Sequence, residues 1–361
     1  MVLLRFRSAP LAGDHGASGD NALTTRPNHS AGAGQSPGRR TIGCSMTHRT
    51  LVTGGAGFIG SHLVEHLAAA GERVVVLDNL SSGKPENLPP QVELIAGDIT
   101  DGALVGELVQ GVDCVFHLAA LVSVQECIKD WELGHRINLD ATVGLFHAAA
   151  RARPGGVPVV YASSAAVYGD RSGSTCCETS LPAPISPYGV DKLGCEHQAR
   201  AMAEIHKLRS VGLRFFNVYG PRQDPASPYA GVISKFCANR LADSPHTVFG
   251  DGLQSRDFIY VADIVEGLVR ARAYAQGQEG AAVFNLCTGA ETTLVGLASE
   301  IDGIADRGPT PIIHADPRSG DIRMSLGDPS LAARDLGFTA RTDIRSGLSR
   351  LWASLTESQA T

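Results

Sequence analysis

Tyr188 and Lys192 stand one helical turn apart in Tyr188-Gly-Val-Asp-Lys192, and Ser164 lies upstream in Ser163-Ser-Ala-Ala-Val-Tyr-Gly169. Positions i and i+4 share a helix face. An ammonium held beside a phenol favours the phenolate, so a tyrosine whose free pKa is near ~10 becomes usable as a base closer to neutral pH. The same spacing occurs in exposed helices whose two side chains are unrelated, so the elements around the pair have to decide.

Those elements begin with Thr53-Gly-Gly-Ala-Gly-Phe-Ile-Gly60, which follows an apolar run and opens a helical pattern. Gly54 permits a tight turn, Gly57 lets backbone approach a pyrophosphate, and Gly60 allows close helix packing. Val74-Val-Val-Leu-Asp78 then ends a second strand on an acid suited to the ribose hydroxyls of a dinucleotide. A carboxylate there repels a 2′-phosphate, which favours NAD over NADP. Asp98, after a third strand, is placed for the adenine amino group or, equally, to cap the next helix.

Short β-branched runs recur at Thr50–Thr53, Arg73–Leu77, Val92–Ile95, Cys114–His117, Val157–Tyr161, Val211–Phe215 and Ala282–Leu286, alternating with helical patterns such as Ser61–Ala68, Ala141–Ala149 and Lys192–Ala199. Strands apolar on both faces imply a parallel, doubly wound sheet of Rossmann type, with a smaller, interleaved C-terminal lobe. The expected division is a dinucleotide-binding part over 47–220 with a later strand near 282–288, a mainly substrate-binding lobe over 221–350, and a tail over 351–361. Residues 1–45 are rich in Gly, Ala, Ser, Pro, Asn and Arg and lack apolar periodicity. They read as a disordered tail, with Met46 as the expected start of translation.

The 361 residues carry a net charge of −6, which gives no reason to expect nucleic acid or an anionic membrane as partner. An anionic ligand must be held by local arginines and backbone amides. No apolar run approaches ~18 residues. The eight cysteines include no C-x-x-C pair, and several lie in apolar stretches, so a reduced, cytoplasmic protein is expected. Adjacent Cys176 and Cys177 read as a solvent-side loop rather than a redox pair. His62-Leu-Val-Glu65-His66 matches the H-x-x-E-H zinc spacing but lies on the helix opened by the glycine turn. Solvent-facing histidines explain it better, and no metal is expected.

Taken together, TGGAGFIG (53–60), LDN (77–79), HLAA (117–120), SSAAVYG (163–169), YGVDK (188–192), RFFNVYGPRQDP (214–225), FGDGLQSRDFIYVAD (249–263) and RSGDIRMS (318–325) resemble the extended short-chain dehydrogenase/reductases, and within them the NAD-dependent UDP-sugar 4-epimerases. The resemblance covers about 48–350. It implies Tyr188 as base for the sugar 4-hydroxyl, Lys192 on the nicotinamide ribose and Ser164 on the same hydroxyl. It implies cofactor contacts from Gly54, Gly57, Phe58, Ile59, Gly60, Asp78, Asn79, Asp98, Ile99, Leu118, Ala119, Ala120, Asn138 and Phe215. Asn217, Arg256 and Arg318 would grip a UDP pyrophosphate, Asp321, Val232 and Thr247-Val248-Phe249 would lie near uridine, and Ser123 near the sugar. Read by themselves, Arg256 beside Asp257 is equally a surface ion pair, and Arg318 an exposed loop charge.

The implied reaction passes through a 4-keto sugar, with NAD retained through each cycle. Related dehydratases and decarboxylases, including enzymes acting on UDP-glucuronate, resemble this chain but carry acidic residues where Ala165 and Ala166 stand; this favours simple epimerisation. Ser325 occupies a position that is bulky and aromatic in hexose-restricted 4-epimerases, so a 2-acetamido group fits, and UDP-GlcNAc joins UDP-Glc as an expected substrate. Val122 stands where some epimerases have a cofactor-contacting lysine. The resemblance also implies a homodimer. A non-catalytic NAD sensor of the same fold would not need Ser164, Tyr188 and Lys192, and a dehydrogenase for apolar alcohols would not need Asn217, Arg256 and Arg318.

Overall fold

Every expected strand enters one parallel sheet, and the central ones are apolar on both faces and need cover on both. The computed structural model describes residues 48–171, 173–224, 231–316 and 322–360. The tail over 1–45, the proposed start at Met46, and Arg318 and Asp321 lie outside the described residues. The sheet comprises β1 (Arg49–Thr53), β2 (Arg73–Asp78), β3 (Glu93–Ala96), β4 (Cys114–His117), β5 (Val159–Ser164), β6 (Ser210–Phe215) and a seventh strand, Ala281–Leu286. From one edge the order is the seventh strand, β6, β5, β4, β1, β2, β3. Strand order therefore reverses between β1 and β4, the place where doubly wound sheets open a crevice for a ligand.

Helices cover both faces: α1 (Phe58–Ala69), α2 (Gly102–Leu108), α3 (Val124–Lys129), α4 (Trp131–His135), α5 (Ala141–Arg151) and α6 (Pro187–His206), with Val261–Gly277 crossing between the last two strands of the sheet. One core lies between the sheet, α1 and Val261–Gly277, and holds Leu63, Leu67, Phe116, Leu268 and Phe284. The opposite face packs Leu145, Phe146 and Tyr161 from α5 and β5.

The C-terminal lobe is built from short strands. Here β7 (Asn217–Tyr219) pairs with Phe258–Tyr260, His246–Phe249 pairs with Ile312–Ala315, and Ser255–Arg256 lies between Thr292–Thr293 and Met324–Ser325. Its core includes Tyr219, Phe236, Leu297, Leu348 and Leu351. The last two lie on a helix over Ile344–Ala360, which takes in most of the stretch expected as a tail and packs its apolar stripe into this core. Among the described residues, no helix is long and apolar enough to cross a membrane.

Candidate active site

The glycine turn sits at the crevice. Gly54 takes φ +70°, which an alanine would resist. A methyl there would also meet the Ala119 amide at 2.6 Å, because the Leu118–Ala120 loop after β4 lies directly on the turn. Leu118 donates its amide to the Thr53 carbonyl at 3.0 Å, and Ala119 donates to Thr53 Oγ1 at 3.3 Å. Gly57 is the N-cap of α1 with no side-chain cap, so the first amides of α1 face outward. Gly60 packs on the turn itself, since a methyl there would collide with the Gly54 carbonyl oxygen. Phe58 and Ile59, in the first turn of α1, are partly buried against the C-terminal core.

Asp78 ends β2 with its carboxylate buried. It accepts the Ala56 amide at 2.9 Å on one oxygen and the Leu80 amide at 2.9 Å on the other. The acid thus ties the second strand to the glycine turn, with Gly83 packed over both of its oxygens. Asn79 donates to Asp98 at 2.9 Å, and Asp98 also accepts the Thr100 amide and hydroxyl, bonds that hold its carboxyl below the ordinary range. The cap of α2 is Asp101, so Asp98 closes its own turn and does not cap that helix. Ile99 is buried in the core, which leaves only its backbone for a cofactor.

Behind the loop after β4, Asn138 is buried in a π turn over Arg136–Asp140. Its amide accepts from the Leu121 N–H at 2.9 Å and donates to the Leu121 carbonyl at 3.1 Å. Both polar atoms of Asn138, expected at the cofactor, hold the loop that lies on the glycine turn. His117, a residue the sequence reading passed over, bridges Thr53 Oγ1 at 2.7 Å and Thr142 Oγ1 at 2.9 Å. Full burial, with the Lys192 charge adding to it, lowers its pKa to about 3, so it is neutral.

The reactive pair comes from α6. Ser186 caps the helix by accepting the Gly189 amide at 3.1 Å, and Pro187 occupies its first turn. Lys192 is buried, donates to the Ala162 carbonyl at 2.9 Å, and holds its ammonium 5.7 Å from the centre of the Tyr188 ring. Ser164 ends β5 and accepts the Ala166 amide at 3.2 Å, capping the short turn Ala165–Tyr168. A methyl on Gly189 would lie 2.6 Å from the Ala166 carbonyl, so the first turn of α6 rests on the turn that follows Ser164. Phe215 is the register partner of Ser164 on β6. The turns that carry the serine and the tyrosine therefore lie against each other at one end of the sheet, with Lys192 bonded to the serine's own strand.

Asn217, Arg256 and Ser325, expected on the substrate side, converge on the backbone around Asp257. Asn217 donates its amide and side chain to the Asp257 carbonyl at 3.0 and 3.1 Å. The Asp257 amide donates to the Ser325 carbonyl at 2.8 Å, and Ser325 is the register partner of Arg256. The Asp257 carboxylate is buried, and burial pushes its pKa up. It accepts the Thr288 amide and hydroxyl and the Gly289 amide at 2.7–2.9 Å. Asp257 thus serves loops, which overturns the surface ion-pair reading. The signal in the sequence was a single acid before the apolar run Phe258-Ile-Tyr260.

Four expectations are revised. Val248 points into the C-terminal core while Thr247 and Phe249 lie on the other face of their strand, as the period of two requires. Ser123 is buried and caps α3 through the Glu126 amide at 3.1 Å, which leaves its proton to donate. His62 is partly buried and bonds to the Pro221 carbonyl at 3.0 Å, and Glu65 pairs with Arg222 at 2.7 Å. The zinc-like spacing therefore fastens α1 to the entry of the C-terminal lobe. Cys176 is also not solvent-side: it is buried beside Phe216 and Cys287, held by a bridge to Gly327. Val232, at the start of the helix Val232–Leu241, is partly buried.

A dinucleotide cradle at a strand-order reversal, with a Ser, Tyr and Lys set beyond it, matches the NAD-dependent epimerase/dehydratase family model over residues 50–287. The chain belongs to this family. The UDP-glucose 4-epimerase of Mycolicibacterium smegmatis is 38% identical over 309 residues, covering 84% of this chain and 96% of that one. A solved UDP-N-acetylglucosamine 4-epimerase from Methanobrevibacter ruminantium, in complex with UDP-N-acetylmuramic acid, superposes with a TM-score of 0.81 at 35% identity, covering 86% and 99%. UDP-glucuronic acid decarboxylase 1 of Arabidopsis thaliana is 32% identical over 338 residues, covering 90% of this chain and 73% of that one. NAD is the cofactor of this family member. The residues fit it: a methyl on Gly57 would meet only the Gly54 carbonyl oxygen, and the Ala56 amide holds the Asp78 carboxylate beside the glycine turn.

Proposed function

We propose that this chain inverts carbon 4 of a UDP-hexose through a 4-keto sugar, acting on the UDP-GlcNAc/UDP-GalNAc pair, the UDP-Glc/UDP-Gal pair, or both. The observation that carries this reading is the meeting of Ser164, Tyr188 and Lys192 with alanine at both positions after the serine. Tyr188 takes the proton of the 4-hydroxyl and later gives it back, and Ser164 holds the oxygen between these transfers. Lys192 steadies negative charge on the adjacent ring. NAD, held at the glycine turn and Asp78, would supply the hydride chemistry at carbon 4. Asn217 and Arg256 hold the diphosphate, Arg256 through paired donors that suit phosphate oxygens. Arg318 and Asp321 extend this grip in the same reading.

Relatives that decarboxylate UDP-glucuronate support a second reading, but Ala165 and Ala166 carry no acid or base for chemistry beyond carbon 4. Ser325, beside Arg256, leaves room for an acetamido group. The test is incubation with UDP-Glc, UDP-GlcNAc and UDP-glucuronate, with products resolved by NMR. Carbon-4 epimers of the first two, absent in Tyr188→Phe, are expected. A UDP-pentose with release of carbon dioxide would replace this reading with decarboxylation. Ser325→Tyr should slow the acetamido sugar more than the plain one, and equal loss on both removes the pocket-size argument.

A further inference from the structure

We propose that the buried pair Glu196–Arg214 is the positioning device of the active site, fixing Ser164 relative to Tyr188 and Lys192. The proposal rests on the carbon-4 reading above and adds residues that neither touch substrate nor belong to the reactive set. Glu196 lies one turn beyond Lys192, which lies one turn beyond Tyr188, so the three share one face of α6. Arg214 sits on β6 opposite Ser163, one residue before Phe215, the partner of Ser164.

The side chains are 5% and 7% exposed, for Arg214 and Glu196 respectively, and meet through two bonds of 2.8 and 2.6 Å, the forked geometry that fixes a guanidinium in plane. From this pair, bonds run to both ends of the serine segment. Ser163 donates to Glu196 at 2.6 Å. Arg214 donates to the Tyr168 hydroxyl at 2.8 Å and lies over the Tyr168 ring at 4.8 Å. The Tyr168 hydroxyl donates onward to Asn285 Oδ1 at 2.6 Å, and the Asn285 amide nitrogen donates to the Cys176 carbonyl at 2.9 Å. Burial raises the Tyr168 phenol, so its proton stays in place for that bond. Ser164 is thus held between Ser163 and Tyr168, both anchored to one ion pair whose Glu196 stands on the helix carrying Tyr188 and Lys192.

Stability alone does not account for such an arrangement, because an apolar pair of similar volume is often as stabilising as a buried ion pair. An apolar pair, however, fixes no hydroxyl in space. Misplacement of reacting groups by about 1 Å costs roughly 100-fold in rate. The pair therefore acts through geometry.

Two variants separate geometry from folding: the double substitution Arg214→Met with Glu196→Leu, and Tyr168→Phe, which removes one oxygen. Both are measured as NAD-bound protein for kcat, KM, bound NAD, melting temperature and hydrogen exchange at residues 163–168. The expected result is kcat lower by roughly tenfold or more, with KM, NAD content and melting temperature close to wild type, and faster exchange at 163–168. Wild-type kcat and exchange in either folded variant would overturn the proposal, as would a fall in melting temperature with kcat intact. If the double variant does not fold, Tyr168→Phe decides alone. If the wild-type protein turns over neither UDP-sugar, the carbon-4 reading fails, and the exchange rates still decide whether the pair positions the serine segment.

Discussion

Replacing Gly57 or Gly60 by alanine separates two jobs of the glycine turn, cofactor approach and helix seating. At Gly57 the backbone has φ −76° and ψ −175°, which any residue adopts, and a methyl meets only the Gly54 carbonyl oxygen, at 3.3 Å. Alanine at a helix N-cap forfeits about 0.5–1 kcal/mol relative to glycine. It regains roughly 0.4–1 kcal/mol by stiffening the unfolded chain. The NAD-free protein should therefore melt at nearly the wild-type temperature. At Gly60 the obstacle is backbone: the Gly54 carbonyl oxygen first, then Gly55 Cα at 2.8 Å and Gly54 C at 2.9 Å. Overpacking of this kind costs typically 1–3 kcal/mol and exceeds the roughly 1 kcal/mol that alanine gains inside a helix, since no flexible side chain can yield. At about 2 °C per kcal/mol, NAD-free Gly60→Ala should melt several degrees lower. Calorimetric titration of NAD into each stripped protein then tests the other job. Gly57→Ala should lose at least about tenfold in affinity, or 1.4 kcal/mol, because its methyl stands where the pyrophosphate must approach. Wild-type NAD affinity in Gly57→Ala, or an unchanged melting temperature in NAD-free Gly60→Ala, would refute the assignment of the cradle.

His117 gives the protein a pH-dependent stability. Its folded pKa is about 3 against 6.5 unfolded, so its contribution is complete above pH 6.5 and is lost as pH falls towards 3. By linkage this amounts to about 2 kcal/mol between pH 7 and pH 5. Urea melts should show that much less slope in His117→Gln than in wild type, and parallel curves would count against it. Asp257→Asn removes the charge that gathers the Thr288 and Gly289 amides while preserving shape. Because the Asp257 backbone bonds Asn217 and Ser325, KM for the UDP-sugar should rise roughly tenfold or more with NAD content unchanged. Loss of NAD instead would mean that Asp257 serves the cofactor lobe.

Features legible in the sequence are those set by backbone geometry over a few residues. Seven largely apolar runs alternating with helical patterns lead to parallel strands, five of them interior, and three glycines after the first of them close a tight turn onto a helix. The i, i+4 spacing of Tyr188 and Lys192 and the acid at Asp78 have the same local origin, so the cofactor site was readable before any fold was known. Pairing across the chain was not. That Ser164 faces the first turn of α6 follows from strand order and register, which bring residues two dozen apart to one sheet end. The inward turn of Val248, the loop-holding amide of Asn138, the buried carboxylate of Asp257 and the Glu196–Arg214 pair depend on which partner stands opposite. No local pattern specifies that partner. Burial then decides the outcome, because a polar group removed from water must find a bond, and only the tertiary structure determines which one.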